Sequence, residues 1–145
     1  RVFPNAKYIH LIRDGRDVLN SYLKSGLETN ISHISWRWNT SIKKALLFEK
    51  KKKNINSFIT IHYEELVNDP AKYVKEIYKF LDIPDIPYSE TRNINDMGDV
   101  ILKHHENIKN PINSSSVGKW INELSEEQKI SANKLMSKYL RKFNY

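Results

Sequence analysis

The fourteen-residue run YIHLIRDGRDVLNS constrains the fold most, because an apolar strand pattern passes directly into the start of a helix. Ile9, Leu11 and Ile12 give the strand its apolar character and predict that it is buried. Asp14 and Gly15 then predict a tight exit from the strand. We therefore expect a helix to begin with free backbone N–H groups immediately after a core strand.

The predicted helix start suits a bound anion. Asp14 and Asp17 form a capping-box-like pattern, and the N–H groups of a first helical turn favour negative charge. Arg13 can form a bidentate pair with a phosphate, and Ser21 can add a hydroxyl about two turns later. Arg13 and Ser21 can both contact one ligand group only if that group lies along the first turns of this helix. The alternative to ligand binding is that residues 13–17, RDGRD, form a charged surface turn.

Composition limits the classes of partner. The 145 residues indicate one domain or part of one, and a net charge of +7 suits an anionic ligand. Much of the excess charge lies in Lys43, Lys44 and Lys50 to Lys53, which we expect to form a solvated helix face. No aromatic residues interleave with the last four lysines, so no nucleic-acid partner is predicted. The absence of cysteine excludes disulfides and thiolate metal sites.

Targeting signals are not evident in the sequence. No stretch approaches the roughly 20 apolar residues that span a bilayer, so no membrane contact is expected from this chain. It starts at Arg1 and enters a strand within a few residues, which suggests a parent protein that extends upstream. We expect a cytoplasmic protein, while an upstream signal or anchor and the oligomeric state stay open.

Helical spacing predicts a long second helix over residues 32–53, with Trp36 and Trp38 both expected to pack in the core. Residues 58–63, FITIHY, then predict a second strand beside the first. Two strands separated by helices imply parallel pairing and a sheet covered on both faces, which is an α/β arrangement. The other apolar positions of the long helix are Ile34, Ile42, Ala45 and Phe48.

The rest of the chain is predicted to be mainly helical. One helix begins at Asp69-Pro70 and ends before Pro84, a shorter one covers residues 95–105, and a last one starts at the Ser125 capping box. The buried positions expected in the first are Val74, Ile77, Tyr78 and Leu81, and those in the last are Ala132, Leu135, Met136, Tyr139, Leu140 and Phe143.

The run around Arg13 resembles the 3′-phosphate-binding motif of sulfotransferases that use 3′-phosphoadenosine-5′-phosphosulfate (PAPS). In that family an Arg ends a core strand, a Ser follows eight residues later in the next helix, and both hold the 3′-phosphate. The resemblance implies this role for Arg13 and Ser21. It also implies a P-loop-NTPase-like three-layer α/β sulfotransferase fold, truncated at the N-terminus, with parallel strands flanked by helices.

A second segment, YEELVNDP, also resembles the family, in which a strand ends in Tyr-Glu before a turn to Pro. Ligands of open α/β folds bind at the carboxyl edge of the sheet, so the resemblance implies that Tyr63 contacts adenine. A structural strand-end tyrosine is the alternative. Glu64 and Glu65 are expected on opposite faces, where they cap or form ion pairs rather than act as a catalytic dyad.

The third segment, PINSSSVGKW, resembles the late nucleotide-binding loop of the family, and a flexible polar loop is the alternative. The resemblance assigns Ser115, Ser116 and Lys119 to the nucleotide, with Trp120 as a packing anchor. Many animal small-molecule sulfotransferases have Arg-Lys-Gly where this chain has Asn, Ser and Ser at positions 113–115. The segment is instead similar to the protein-tyrosine and bacterial branches.

No metal site and no catalytic residue are predicted in this chain. His104 and His105 are adjacent on a predicted helix, so their side chains diverge and chelate one ion poorly. His10 and His62 lie in predicted strands and are expected to be packed or hydrogen-bonded. The family's phosphosulfate loop and catalytic base normally precede the first motif.

The resemblance runs from Phe3 to about Leu124 and implies that residues 1–145 form one partial sulfotransferase domain, the C-terminal portion. The parent would transfer a sulfuryl group from PAPS to an acceptor hydroxyl or amine and release adenosine 3′,5′-bisphosphate, with no metal. The acceptor, whether glycan, protein or small molecule, is not identified. A kinase-like nucleotide-binding protein and a non-catalytic basic binding module are the alternatives.

Overall fold

The computed structural model describes residues 5–51, 57–84, 86–87 and 112–145. The chain divides into two compact units, one formed by Arg1–Tyr63 with Ser115–Tyr145 and the other by Glu64–Ser114. The prediction of one partial domain stays a prediction, and the predicted helix over residues 95–105 lies outside the described residues. The elements are β1 (Tyr8–Ile12), α1 (Gly15–Ser25), α2 (Ile31–Lys51), β2 (Phe58–His62), α3 (Tyr63–Asn68), α4 (Pro70–Leu81), α5 (Trp120–Glu123) and α6 (Glu126–Lys142).

Strands β1 and β2 pair in parallel, as predicted, with Tyr8 opposite Phe58 and Ile12 opposite His62. Helices α1 and α2 both lie between them in the chain, since parallel neighbours need a crossover connection. The second strand is one residue shorter than predicted, because Tyr63 begins α3. The α/β class is confirmed, with parallel strands flanked by helices.

The two faces of β1 differ in burial. On one face, the ring of Phe48 from α2 lies 4.4 Å from the ring of Tyr8 and 6.3 Å from that of Phe58, measured between centroids. On the opposite face, Ile9 and Leu11 are 42% and 50% exposed. The prediction that β1 is buried on both faces is therefore wrong, because alternation along the strand turns these two side chains away from α2.

The core of the first unit lies where α1, α2 and α6 pack together. Leu19 and Met136 are fully buried, and Trp38 and Ile34 of α2 lie beside them. Gly15 permits the close approach of α1, because a Cβ at this position would lie 2.6 Å from Met136 Sδ and 2.8 Å from the Trp38 ring. The tight junction predicted at Gly15 is thus required by packing between helices.

Helix α2 matches its predicted span, apart from residues outside the described range. Its first turn is capped by Asn30, whose side chain accepts a hydrogen bond from the His33 N–H at 3.0 Å. Trp38 packs in the core as predicted, but Trp36 is 61% exposed and stacks on the His33 ring. Two positions apart on a helix differ by about 200°, so both tryptophans could not face one core.

Helix α6 begins with the predicted capping box, in which Ser125 and Gln128 each bond to the other's backbone N–H. The predicted inward positions are buried or partly buried except Leu135, which is 41% exposed. The lysines of α2 at positions 43, 44, 50 and 51 are exposed, as predicted for a solvated face.

The second unit contains α3 after its first residue and all of α4. Asp69 caps α4 by accepting the Lys72 N–H at 3.2 Å, and the helix ends at Leu81 before the predicted proline stop. Its apolar stripe is partly buried, not fully buried as predicted. Glu65 accepts a hydrogen bond from the Tyr73 hydroxyl at 2.8 Å, which fits the predicted structural role although this glutamate lies in a helix.

Candidate functional site

Arg13 lies at the end of β1, where its backbone carbonyl accepts a hydrogen bond from Trp38 Nε1 at 3.1 Å. Its Nη2 donates to the Ser116 carbonyl at 2.6 Å. Its guanidinium carbon lies 4.6 Å from the centroid of the Tyr63 ring, within the range of a cation–π contact. The structure therefore brings together one residue from each of the three segments that the sequence analysis singled out.

The Arg13 guanidinium also has one donor without a partner among the described residues. This donor is Nε, which is buried. A buried donor without a partner costs free energy, and guanidinium donors match the geometry of carboxylate and phosphate oxygens. An anion that reaches Nε would satisfy this donor while Nη2 fixes the orientation of the group.

The first turn of α1 is held by Asp14 and Arg16. Asp14 Oδ1 accepts the Arg16 backbone N–H at 2.8 Å, which makes Asp14 the N-cap. The same carboxylate pairs with the Arg16 guanidinium through Nε at 3.0 Å and Nη2 at 2.7 Å. The guanidinium carbon in turn lies 3.9 Å from the centroid of the Trp120 ring. Trp120 is therefore a packing anchor, as predicted.

Asp17 has a different role from the one predicted. Its carboxylate is buried and accepts the Gly118 N–H at 2.7 Å and the Trp120 N–H at 3.0 Å. The predicted capping-box pairing with Asp14 is therefore wrong, because Asp17 turns toward a segment about a hundred positions later. Sequence reasoning had no local signal for this pairing.

The remaining predicted site residues are exposed. Ser21 lies on the surface of α1, while Ser115 and Lys119 lie on the surface of the segment before α5. The structure thus brings together Arg13, Tyr63 and Ser116, and it leaves the other three side chains facing solvent.

Two further α1 residues that the sequence analysis missed bind α5. Asn20 Nδ2 donates to Glu123 Oε2, and Lys24 Nζ donates to Glu123 Oε1 at 2.6 Å. The Lys24 hydrogen bond, and next that of Asn20, lowers the pKa of the Glu123 carboxyl. Asp17, Asn20 and Lys24 are spaced i, i+3, i+7 and so share one face of α1, but this spacing does not indicate which segment they bind.

The strand histidines are packed as predicted. His62 Nδ1 lies 3.1 Å from the Tyr145 hydroxyl, beside the rings of Phe143 and Tyr145. Burial lowers the pKa of His10, whose ring lies beside Phe58. Within the described ranges, His, Asp and Glu side chains form no group of three that could hold a metal ion, and no described helix is long and apolar enough to cross a membrane.

A family model described as "Sulfotransferase family" matches residues 1–87, which include both strands and the Arg13 junction. The chain belongs to the sulfotransferase family. The resemblance stated from the three sequence segments is thereby confirmed, and so is the assignment to a family of transferases.

Curated relatives agree with this sulfotransferase assignment. The chain is 26% identical to "Protein-tyrosine sulfotransferase 1" of Danio rerio over 86% of its own length and 38% of that protein. It is 27% identical to the "Protein-tyrosine sulfotransferase" of Drosophila melanogaster, over 85% of its length and 27% of that protein. The chain spans about half the length or less of the curated relatives that it matches.

Solved structures confirm the sulfotransferase fold. The sulfotransferase domain of the Synechococcus PCC 7002 olefin synthase superposes with a TM-score of 0.68 at 24% identity, over 92% of this chain and 49% of that one. The sulfotransferase domain from the curacin biosynthetic pathway gives 0.64 at 23% identity, over 91% and 54% of the two chains. At such identities the likeness concerns the fold alone.

Proposed function

We propose that this chain holds the 3′-phosphate and adenine of PAPS in a sulfotransferase that transfers a sulfuryl group to an acceptor hydroxyl or amine. Arg13 and Ser21 bind the 3′-phosphate, and Tyr63 contacts the adenine. Ser115, Ser116 and Lys119 complete the binding loop with hydroxyls, backbone groups and a point charge. Family membership supports sulfuryl transfer, and PAPS as the donor rests on the resemblance of the three sequence segments.

One observation carries the proposal. The Arg13 guanidinium is fixed between the Ser116 carbonyl and the Tyr63 ring, and its buried Nε still lacks a partner among the described residues. A phosphate oxygen would satisfy this donor with a charge-assisted hydrogen bond. Because Nη2 is already bonded, little side-chain entropy remains to be lost on binding.

The exposed position of Ser21 is consistent with ligand contact. Ser21 lies six residues after Gly15, so its hydroxyl is about 9 Å along the helix from the first turn. A group that touches both Arg13 and Ser21 must therefore lie along α1. An exposed hydroxyl can supply that second contact without rearranging the core.

In the proposed reaction, the bond between sulfur and the bridging oxygen of PAPS breaks as the acceptor oxygen or nitrogen bonds to sulfur. The acceptor proton leaves to a base, and adenosine 3′,5′-bisphosphate is released. The six residues named above contact the nucleotide and not the transferred group. They align the donor through remote contacts, and such binding energy lowers the barrier when it fixes the reacting geometry.

The proposal is tested by titrating the chain with adenosine 3′,5′-bisphosphate in a calorimeter. Arg13→Ala should weaken binding about tenfold to a hundredfold, because hydrogen bonds to charged groups contribute about 1.5–3 kcal/mol. Arg141→Ala, which removes an exposed arginine from the last turn of α6, is the control for lost positive charge.

Equal losses in the Arg13 and Arg141 variants would contradict the proposal and indicate a non-specific basic surface. ATP that binds as tightly as adenosine 3′,5′-bisphosphate would favour the kinase-like alternative.

A further inference from the structure

The segment 116–123 is fastened to one face of α1 by a polar stripe of three residues, Asp17, Asn20 and Lys24. Asp17 accepts two backbone N–H groups near the start of the segment, and the other two residues bind Glu123 near its end. The contacts join positions about a hundred residues apart. They fix where the segment lies relative to the Arg13 junction.

Asp17 is the buried member of the stripe, with 2% of its surface exposed. Each of its oxygens accepts one N–H, from Gly118 and from Trp120. Trp120 is the first residue of α5, so its N–H has no acceptor within that helix. Gly118 has a φ of 71°, a left-handed conformation that lets the chain turn between the two N–H groups.

The same segment also holds Arg13. The Ser116 carbonyl, two residues before Gly118, accepts the Arg13 Nη2 hydrogen bond at 2.6 Å. A shift of the segment would move this carbonyl and with it the guanidinium, whose Nε is the unpartnered donor. Asp17 therefore acts on Arg13 through the backbone of residues 116–118, without touching it directly.

We propose that Asp17 is a positioning residue that sets the preference of this site for adenosine nucleotides bearing a 3′-phosphate. It holds the Ser116 carbonyl in place, and that carbonyl aims the Arg13 guanidinium. The inference rests on the proposed function, because it concerns how the residues that bind the 3′-phosphate are held in position.

The test is Asp17→Asn in the full chain, with the affinities for adenosine 3′,5′-bisphosphate and adenosine 5′-phosphate measured in parallel. An amide keeps one acceptor oxygen but turns an NH₂ donor toward the second N–H. The preference for the bisphosphate should fall about tenfold, while binding of the 5′-phosphate stays within twofold. A variant that is only less stable would lose affinity for both nucleotides in proportion.

Amide hydrogen exchange gives a readout that does not depend on the ligand. Exchange at Gly118 and Trp120 should accelerate in Asp17→Asn and stay unchanged in Glu127→Gln. That control also replaces a first-turn carboxylate by an amide, but an exposed one in α6. Asp17→Glu is the second variant to test if Asp17→Asn does not fold. It keeps the charge but displaces both oxygens, so it should lose part of the preference for the bisphosphate.

The outcomes separate the two proposals. A wild-type chain that binds both nucleotides equally overturns the proposed function and this inference with it. Loss of preference in Arg13→Ala, with full preference in both Asp17 variants, overturns the positioning role alone. Wild-type exchange at Gly118 and Trp120 as fast as in an unfolded peptide overturns it as well.

Discussion

The first turns of α1 and α6 carry similar residues but make different contacts. Each helix has a side-chain N-cap, Asp14 in α1 and Ser125 in α6, and each has acidic residues in its first turn. In α6 the side chains of the cap and Gln128 each bond to the other's backbone N–H, and the acidic side chains are exposed. In α1 the acidic Asp17 is buried and binds a distant backbone segment. One sequence pattern thus serves a local helix start in one place and long-range assembly in the other.

The largest effect on the free energy of unfolding is expected at the first residues of α1 and α6, which differ in how tightly they are packed. Gly15→Ala places a methyl group against Met136 and Trp38 in the core, and such overpacking costs about 1–3 kcal/mol in the free energy of unfolding. Glu126→Ala, at the equivalent first position of α6, should change that free energy by less than about 0.5 kcal/mol, because its side chain is exposed.

Urea unfolding followed by circular dichroism measures both variants. Gly26→Ala is a useful third case, because its φ of 68° strains any side chain although no atom lies within 4 Å of a Cβ built there. We expect a cost of about 1–2 kcal/mol from backbone strain alone. A Gly15→Ala chain as stable as wild type would show that the start of α1 is not tightly packed.

Removal of the two caps sharpens the same comparison. Ser125→Ala should lower the free energy of unfolding by about 1 kcal/mol, the usual value for a lost N-cap. Asp14→Ala should cost more, because it also removes the paired partner of the partly buried Arg16 guanidinium, which stacks on Trp120. Equal costs in thermal unfolding would mean that the Arg16 contacts contribute nothing beyond the cap.

The local parts of this fold were predictable from sequence, and the long-range parts were not. The Ser125 capping box, the α2 span and the parallel strands follow from patterns within a few residues or from apolar periodicity. The pairing of Asp17 with the Gly118 N–H depends on a contact over 101 positions, which no local pattern encodes.

The candidate site was predictable to a similar degree. The resemblance supplied Arg13, Tyr63 and Ser116, which the structure brings together, because the three motifs occur in the family's order. It gave no basis for the α1 stripe that binds segment 116–123. The predicted burial of Trp36 was wrong because residues two positions apart on a helix point about 200° apart, so Trp36 cannot share the buried face of Trp38.

Acid should weaken the attachment of α5 to α1, and this effect on stability should be smaller than those of the substitutions above. The Lys24 and Asn20 hydrogen bonds lower the pKa of Glu123 from its ordinary 4.5. Since the folded-state pKa is the lower one, the contribution to stability is present above pH 4.5 and is lost as the pH falls through the folded value. Glu123→Gln should therefore be less stable than wild type at pH 7, and the difference should narrow at pH 3.

Urea midpoints at the two pH values check this expectation, with Glu127→Gln as the control for loss of a carboxylate. A difference between Glu123→Gln and wild type that is the same at both pH values would show that the bonds to Lys24 and Asn20 do not depend on the charge of Glu123.

The most direct test of the account is an NMR titration of the chain with adenosine 3′,5′-bisphosphate, observed at the Arg13 Nε–H resonance. If this buried, unpartnered donor receives the 3′-phosphate, its resonance should shift on binding together with the amide of Ser116, whereas adenosine 5′-phosphate should leave Nε–H unchanged. An Arg13 Nε–H resonance that does not move at saturating bisphosphate would contradict the central claim that Arg13 holds the 3′-phosphate.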